Sequence, residues 1–328
     1  MEPRKFTVPR AATRILVALL LAVIVYGGFV FYTGYEELRH ALGEFRWAAF
    51  AGALCLSTFN YGLRFLKWEF YLSRLRVRGV PKWESLLIFL SGFVLTITPG
   101  KVGEVFKSAV LQETHGVSLA RTAPIVIAER LTDVIAIVFL VVVGSLGFNG
   151  GMFWAFLGAA AVAAVFLLIL WPAPVQALIA FLRTRTGSLG SIGPKIETAY
   201  TSLRILAGPS ALIVPTLLSI VGWGAEGVAL WLLLDGFGEA PALSLALFFY
   251  ATATLAGALI PVPGGLGVTE AMFQSQLVEL GGVPHGPATA SMLMIRFATL
   301  WWAVIVGFIA IALLRLRYPS LLRSQPQA

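Results

Sequence analysis

From Ala11 to Phe31 the chain carries a single charged residue, Arg14, in an otherwise largely apolar run. About 20 apolar residues coiled as a helix match the hydrocarbon thickness of a bilayer. Comparable runs occupy 47–66, 121–147, 152–171, 210–234 and 287–314, while two further apolar stretches, 84–98 and 241–262, break at Pro-Gly. A soluble domain cannot hide so much apolar surface, since 58% of the 328 residues are hydrophobic and only 12% are charged. The implied fold class is an all-α integral membrane protein, read as one polytopic domain over 1–328. The first run comes after Arg4, Lys5 and Arg10, is too long for a secretory signal core and shows no small-residue cleavage site. It is expected to be a retained helix.

The net charge of +8 does not point to nucleic acid. The basic residues sit in short segments between apolar runs, as orientation by the positive-inside rule requires. They cluster at the N-terminus, between the second and third spans (Lys67, Arg74, Arg76, Arg78, Lys82), within 172–209 and at the C-terminus (Arg315, Arg317, Arg323). The other connections are acidic or neutral. This bias predicts an inner-membrane protein with both termini cytoplasmic, which requires each Pro-Gly stretch to enter and leave on one side. About eight membrane helices result, as six full spans and two re-entrant hairpins.

The two Pro-Gly stretches share a pattern. Pro99-Gly100-Lys101-Val102-Gly103-Glu104 and Pro263-Gly264-Gly265-Leu266-Gly267 both read Pro-Gly-x-x-Gly, each preceded by a Thr-containing apolar arm. An Arg inside an apolar span lies downstream of each at nearly equal spacing (Arg130, Arg296), and a charged residue precedes each (Arg64, Glu226). Charge bias gives the halves opposite orientations. The expectation is an inverted-topology repeat, about 47–147 and 210–314, of the kind that builds many secondary transporters. A cytoplasmic connection over about 172–209 would carry an interfacial helix at Val175 to Leu182. Two ordinary helix kinks are the alternative.

The broken segments carry the candidate chemistry. Pro and Gly end one helix, so the next begins with free N–H groups at membrane depth, where its positive dipole end favours an anion. Gly100, Gly103, Lys101 and Lys107 are therefore candidate contacts to a phosphate or carboxylate headgroup, although both lysines could instead snorkel to the interface. Gly264, Gly265, Gly267 and Thr269 are their counterparts. Glu270 could cap its helix or pair with an Arg. Glu129, Arg130 and Asp133 share one side of a helix and serve either a pathway or a structural salt-bridge knot. Arg296 and Glu226 need partners from elsewhere, whereas Arg64 lies near a span end. Glu104, Glu129, Asp133, Glu270 and Glu226 are candidates for charge relay or structural pairing.

His40, His115 and His285 are scattered, Cys55 is the one cysteine, and no metal-ligand spacing, phosphate-cradling or nucleophile-elbow motif occurs. No catalytic residue, metal or cofactor is assigned.

Thr98-Pro99-Gly100-Lys101-Val102-Gly103-Glu104, Glu129-Arg130-x-x-Asp133 and Pro261-x-Pro263-Gly264-Gly265-Leu266-Gly267-x-x-Glu270 resemble the signature of the lysylphosphatidylglycerol synthase transmembrane, flippase-like family. The resemblance covers essentially the whole chain in the expected order. It implies a bundle of about eight helices with re-entrant segments, and a module that moves modified phosphatidylglycerol between leaflets in multidomain members. The 328 residues are expected to be a stand-alone member without the soluble aminoacyl-transferase domain of those synthases. The expectation is a transporter for an anionic-headgroup lipid, with membrane lipids as substrate and a homodimer or lipid-biosynthesis enzyme as candidate partner. A membrane-embedded lipid-modifying enzyme and a non-catalytic scaffold are the competing readings.

Overall fold

The computed structural model describes residues 8–98, 103–145, 193–206, 208–260 and 262–321, with the isolated positions 153, 156, 160 and 163. Apart from those four positions, the expected span at 152–171 lies outside these residues, as does the interfacial helix at Val175 to Leu182.

Among the described residues the structure is helical throughout, with no strand. The first part of the chain forms α1 (Val8–Thr33), α2 (Tyr35–Glu44) and α3 (Trp47–Arg74). Next comes α4 (Lys82–Ser91), which tightens into a 3-10 turn over Gly92–Leu95. After it come α5 (Phe106–His115), the single turn α6 (Leu119–Thr122) and α7 (Pro124–Ser145). Later elements are α8 (Gly193–Leu206), α9 (Pro209–Gly236) and α10 (Leu243–Leu259). A Pro263–Gly265 turn then leads into α11 (Val268–Ser275), with a π-helical extension over Gln276–Leu280. Finally α12 (His285–Arg296) joins α13 (Trp302–Arg317) through a π segment, Phe297–Trp301.

Three stretches, 16–33, 210–236 and 285–317, are long and apolar enough to cross a bilayer. The helices α3 and α7 are also long, at 28 and 22 residues, but carry Arg64, Lys67 and Glu69, and Glu129, Arg130 and Asp133. Outward faces are apolar: Leu20, Val23 and Ile24 on α1, Ile213 and Leu217 on α9, and Phe308 and Leu316 on α13 are all exposed. This inversion of the soluble pattern suits a lipid surround, where only internally bonded backbone can face outward.

The frame is the pair α3 and α9. On α3 the buried positions Ala53, Ser57, Asn60, Lys67, Trp68, Tyr71 and Leu72 recur at helical spacing, giving one inward stripe. Gly52 faces Leu232, Asn60 lies against Gly222, and Ala49 with Phe45 lies against Gly236; Arg74 Nη1 donates to Ser210 Oγ at 3.3 Å. The pairing runs in descending order, so the two 28-residue helices are antiparallel. Glycine at these contacts lets the backbones approach closely, the main source of helix association in lipid.

Two apolar cores stack along this frame. One gathers Phe45, Ala53, the Ala136–Val141 end of α7, α9, α10 and α12. The other gathers Tyr61, Trp68, Tyr71, α4, α5, Ile125, Ala128 and Ala303 to Leu314. Glu129, Arg130 and Asp133 sit on α7 between the stretches belonging to each core. At the end of the second core, buried Glu84 meets His115 Nε2 at 3.2 Å and Arg317 Nη2 at 3.0 Å, and accepts the Tyr318 hydroxyl at 2.5 Å.

Candidate functional site

The first Pro-Gly-x-x-Gly turn is closed by side-chain bonding across its ends. The Gly103 N–H donates to Thr98 Oγ1 at 2.8 Å, and Thr98 Oγ1 in turn donates to the Leu95 carbonyl at 2.7 Å. A Cβ at Gly103 would collide with the Leu95 side chain and carbonyl, so only glycine fits there. Pro99, Gly100 and Lys101 fall outside the described residues. Beyond the turn come Glu104 and then α5, which carries Lys107.

Here α3, α5 and α7 bring seven charged side chains together. The Glu104 carboxylate accepts from Arg130 Nη2 at 2.8 Å, from Arg64 Nη2 at 3.3 Å to both oxygens, and from Thr96 Oγ1 at 3.3 Å. Lys107 Nζ donates to both oxygens of Glu129, at 2.8 and 2.6 Å, and lies over the rings of Trp68 and Phe89. Lys67 Nζ donates to Asp133 Oδ1 at 2.8 Å and Ser219 Oγ at 2.7 Å, while Ser219 Oγ donates to the same carboxylate oxygen at 2.9 Å. Arg130 Nη2 also stands 3.3 Å from Asp133 Oδ2.

Burial is graded across the cluster. The Lys67, Lys107, Glu129 and Asp133 side chains are at most 4% exposed, whereas Arg64 and Arg130 are 13% and 24% exposed. The arginines thus form the accessible edge of a sealed network. Among the described residues the cluster holds Arg64, Lys67, Lys107 and Arg130 against Glu104, Glu129 and Asp133, four cations and three carboxylates. A fourth carboxylate, buried Glu226, acts on Arg64 from α9. Among the described residues the Nε of Arg130 and the Oδ2 of Asp133 are buried with no hydrogen-bond partner.

Two of these residues read differently in the sequence. Lys67 counts there as a loop cation that orients the protein. In the structure α3 continues past it, and its 1% exposed side chain points into the cluster. Arg64 reads as a span-end residue, yet lies well inside α3, with its guanidinium over Phe93. The available signal was their spacing: Asn60, Arg64, Lys67 and Tyr71 fall on one helical stripe.

The second turn is built on positive φ at Gly264 (62°), Gly265 (69°) and Gly267 (88°), conformations open mainly to glycine. Thr269 is buried beside it; a Cβ at Gly265 would lie 2.6 Å from Thr269 Oγ1. Glu270 both caps and pairs: its Oε2 accepts the Gly267 N–H at 2.7 Å, and its Oε1 accepts Arg296 Nε at 2.6 Å. Arg296 Nη2 also donates to the Gly264 carbonyl at 2.6 Å. Arg296 ends α12, and the π segment begins at the next residue. Such single-turn π insertions concentrate at functional positions.

The two turns meet. A Cβ on Gly264 would lie 3.8 Å from Ile97 Cα, and Ile97 packs with Ala18, Leu300 and Val304 in a small apolar cluster. Glu226 stands beside the first group, within electrostatic reach of Arg64. It lies on α9, where Asn60 Nδ2 donates to Oε1 at 2.5 Å and the Tyr250 hydroxyl donates to Oε2. These contacts tie α3, α9 and α10 together. Asn60, Thr96, Ser219 and Tyr250 are neutral polar residues that carry no motif, so composition gave no reason to single them out.

Among the described residues no three His, Cys, Asp or Glu side chains are grouped to hold a metal ion. The chain is similar to a UPF0104 membrane protein of Methanothermobacter thermautotrophicus, 23% identical over 88% of this chain and 90% of the relative. The model of the family described as the lysylphosphatidylglycerol synthase TM region matches residues 15–307, which include both glycine turns, α3, α7, α9 and α12. That match covers most of the chain, and this multi-pass helical membrane protein belongs to the lysylphosphatidylglycerol synthase transmembrane-region family.

Proposed function

We propose that this protein moves a lipid with an anionic headgroup across the inner membrane, using the arginine-edged cluster beside the first glycine turn as its headgroup site. The observation that carries this reading is an unused donor at the cluster's accessible edge. Arg130 is 24% exposed, and among the described residues its Nε is buried with no hydrogen-bond partner. A buried charge is retained only when paired, and such clusters inside membranes mark substrate or ion pathways. An anion would take up that donor.

The helix lengths support an alternating-access frame. At 10 residues each, α4 and α5 are far shorter than the roughly 20 residues a span requires; with α10 and α11 they suit two re-entrant hairpins. The antiparallel α3 and α9 suit two halves of opposite orientation. So does the repeated pairing of the carboxylate after each glycine turn with an arginine downstream: Glu104 with Arg130 at 2.8 Å and Glu270 with Arg296 at 2.6 Å. Lys101 belongs with the first site by sequence, and Arg296 would serve the second once its pair opens. A hydrolytic role is less suited to Glu129, both of whose oxygens Lys107 holds, and to Asp133 Oδ1, which Lys67 and Ser219 hold.

The test is reconstitution in vesicles with a fluorescent anionic phospholipid, a prenyl phosphate and a zwitterionic phospholipid, following transbilayer movement by chemical quenching. The expected result is faster movement of an anionic lipid, reduced at least about tenfold by Arg130→Gln, the equivalent of one charge-assisted hydrogen bond. Movement of every anionic lipid at the rate of protein-free vesicles would overturn the proposal.

A further inference from the structure

The most informative contact in the cluster is the one that fits least well. Among the described residues two guanidinium groups and a hydroxyl converge on Glu104, and the contacts from Arg64 and Thr96 are long. Arg64 reaches its two oxygens at 3.3 Å, and Thr96 reaches one at 3.3 Å, longer than the roughly 2.7–2.9 Å of good charge-assisted bonds. Arg130 donates through Nη2 at 2.8 Å, while Nε, on the same edge of the guanidinium, is buried with no partner. Arginine recognises phosphate best when both donors of one edge are taken together. Here half of that edge is idle. The two arginines are also the cluster's exposed members, so an incoming group meets them first.

We infer that Glu104 is a resident competitor: its carboxylate occupies the seat of a substrate oxyanion, bounded by Arg64, Arg130 and Thr96, and a phosphodiester headgroup displaces it. A tetrahedral phosphate presents oxygens in more directions than a planar carboxylate. It can engage Arg130 Nε and Nη2 together and still reach Arg64. Displacement frees Glu104, which otherwise joins the start of α5 to α3 and α7 through Arg64 and Arg130. Substrate arrival is thereby linked to release of Glu104 from α3 and α7, with Arg64 and Thr96 as headgroup contacts and Glu104 setting the affinity. This rests on the proposed lipid-transport reading, but its prediction has the opposite sign from a direct role. Were Glu104 a headgroup contact or an obligatory structural partner, its neutralisation would weaken binding; as a competitor, neutralisation strengthens it.

The experiment measures binding of dihexanoyl phosphatidylglycerol, and separately inorganic phosphate, to the full chain in nanodiscs of zwitterionic lipid. Wild type, Glu104→Gln, Glu104→Asp and Arg64→Gln are compared. The expected result is at least about tenfold tighter lipid binding by Glu104→Gln, matching the loss of one competing charge-assisted interaction. A smaller gain is expected for Glu104→Asp, which keeps the charge but is one methylene shorter, and a loss for Arg64→Gln. Should Glu104→Gln fail to fold, Glu104→Asp decides: tighter binding supports the inference, and equal or weaker binding overturns it. Wild type that binds the lipid while Glu104→Gln binds it equally or less tightly overturns the inference alone. Absence of lipid binding by every variant overturns the transport reading. Inorganic phosphate bound as tightly as the lipid assigns the seat to free phosphate and overturns the headgroup assignment.

Discussion

Breaking the Lys107–Glu129 pair on one side should be costly, and the two sides should differ. Both groups are at most 4% exposed, and among the described residues Lys107 supplies both hydrogen bonds to the Glu129 carboxylate. Removing one member of a buried pair leaves an uncompensated charge, at a cost of roughly 3–5 kcal/mol. In Glu129→Gln the stranded ammonium keeps the Trp68 and Phe89 faces, at 4.7 and 5.2 Å. Desolvated cation–π contacts are worth about 2 kcal/mol, so this loss should fall near 3 kcal/mol, the low end of the range for a broken buried pair. In Lys107→Met the carboxylate has no such refuge, and the loss should approach about 5 kcal/mol. The double variant removes both charges and should lose less than either single variant, because replacing a whole buried pair with neutral groups is often close to neutral. Equilibrium unfolding of the four proteins in mixed micelles gives the comparison. A double variant as unstable as the sum of the singles would refute the pairing, and Glu129→Gln costing more than Lys107→Met would refute the aromatic contribution.

Three further outcomes are expected. Asp133→Asn removes the negative charge opposite buried Lys67 and leaves it Ser219, a distant carbonyl and a neutral amide oxygen, so it should lose about 3 kcal/mol against about 1 kcal/mol for Ser219→Ala, both read in the same unfolding assay. Gly103→Ala drives a methyl into Leu95 and should cost at least about 2 kcal/mol, whereas Gly62→Ala, where a methyl meets open space, should be neutral or stabilising; equal effects would argue against the closed turn. The hydrogen bond to the Glu84 carboxylate raises the Tyr318 hydroxyl above its usual value of 10.0. Its contribution is therefore complete below about pH 10 and is lost as pH rises through the raised value. Tyr318→Phe should cost about 1 kcal/mol at neutral pH, with the gap to wild type closing in strongly alkaline solution. A gap constant from neutral to alkaline pH would refute that account.

The sequence alone determined the class of the protein, because burial in a bilayer is written in local composition. Runs such as 210–234 and 287–314 can be read as helices without knowing what they touch, and the described helices cover them at 209–236 and 285–317. The glycine turns and the charged residues of α7 were likewise legible, since glycine spacing and charge in an apolar run are local features. Assigning partners was a different matter. Glu270 could equally cap or pair by sequence, and the fold makes it do both, because Arg296 arrives from another helix. Lys67 looked like a loop cation because it borders a basic segment, and only its packing against Asp133 and Ser219 brings it inside. The decisive contacts join residues far apart in the chain, 40 positions for Arg64 and Glu104 and 166 for Asn60 and Glu226. Hydrophobic periodicity fixes which face of a helix turns inward, but which charge it meets there depends on how antiparallel α3 and α9 set the register for everything packed against them.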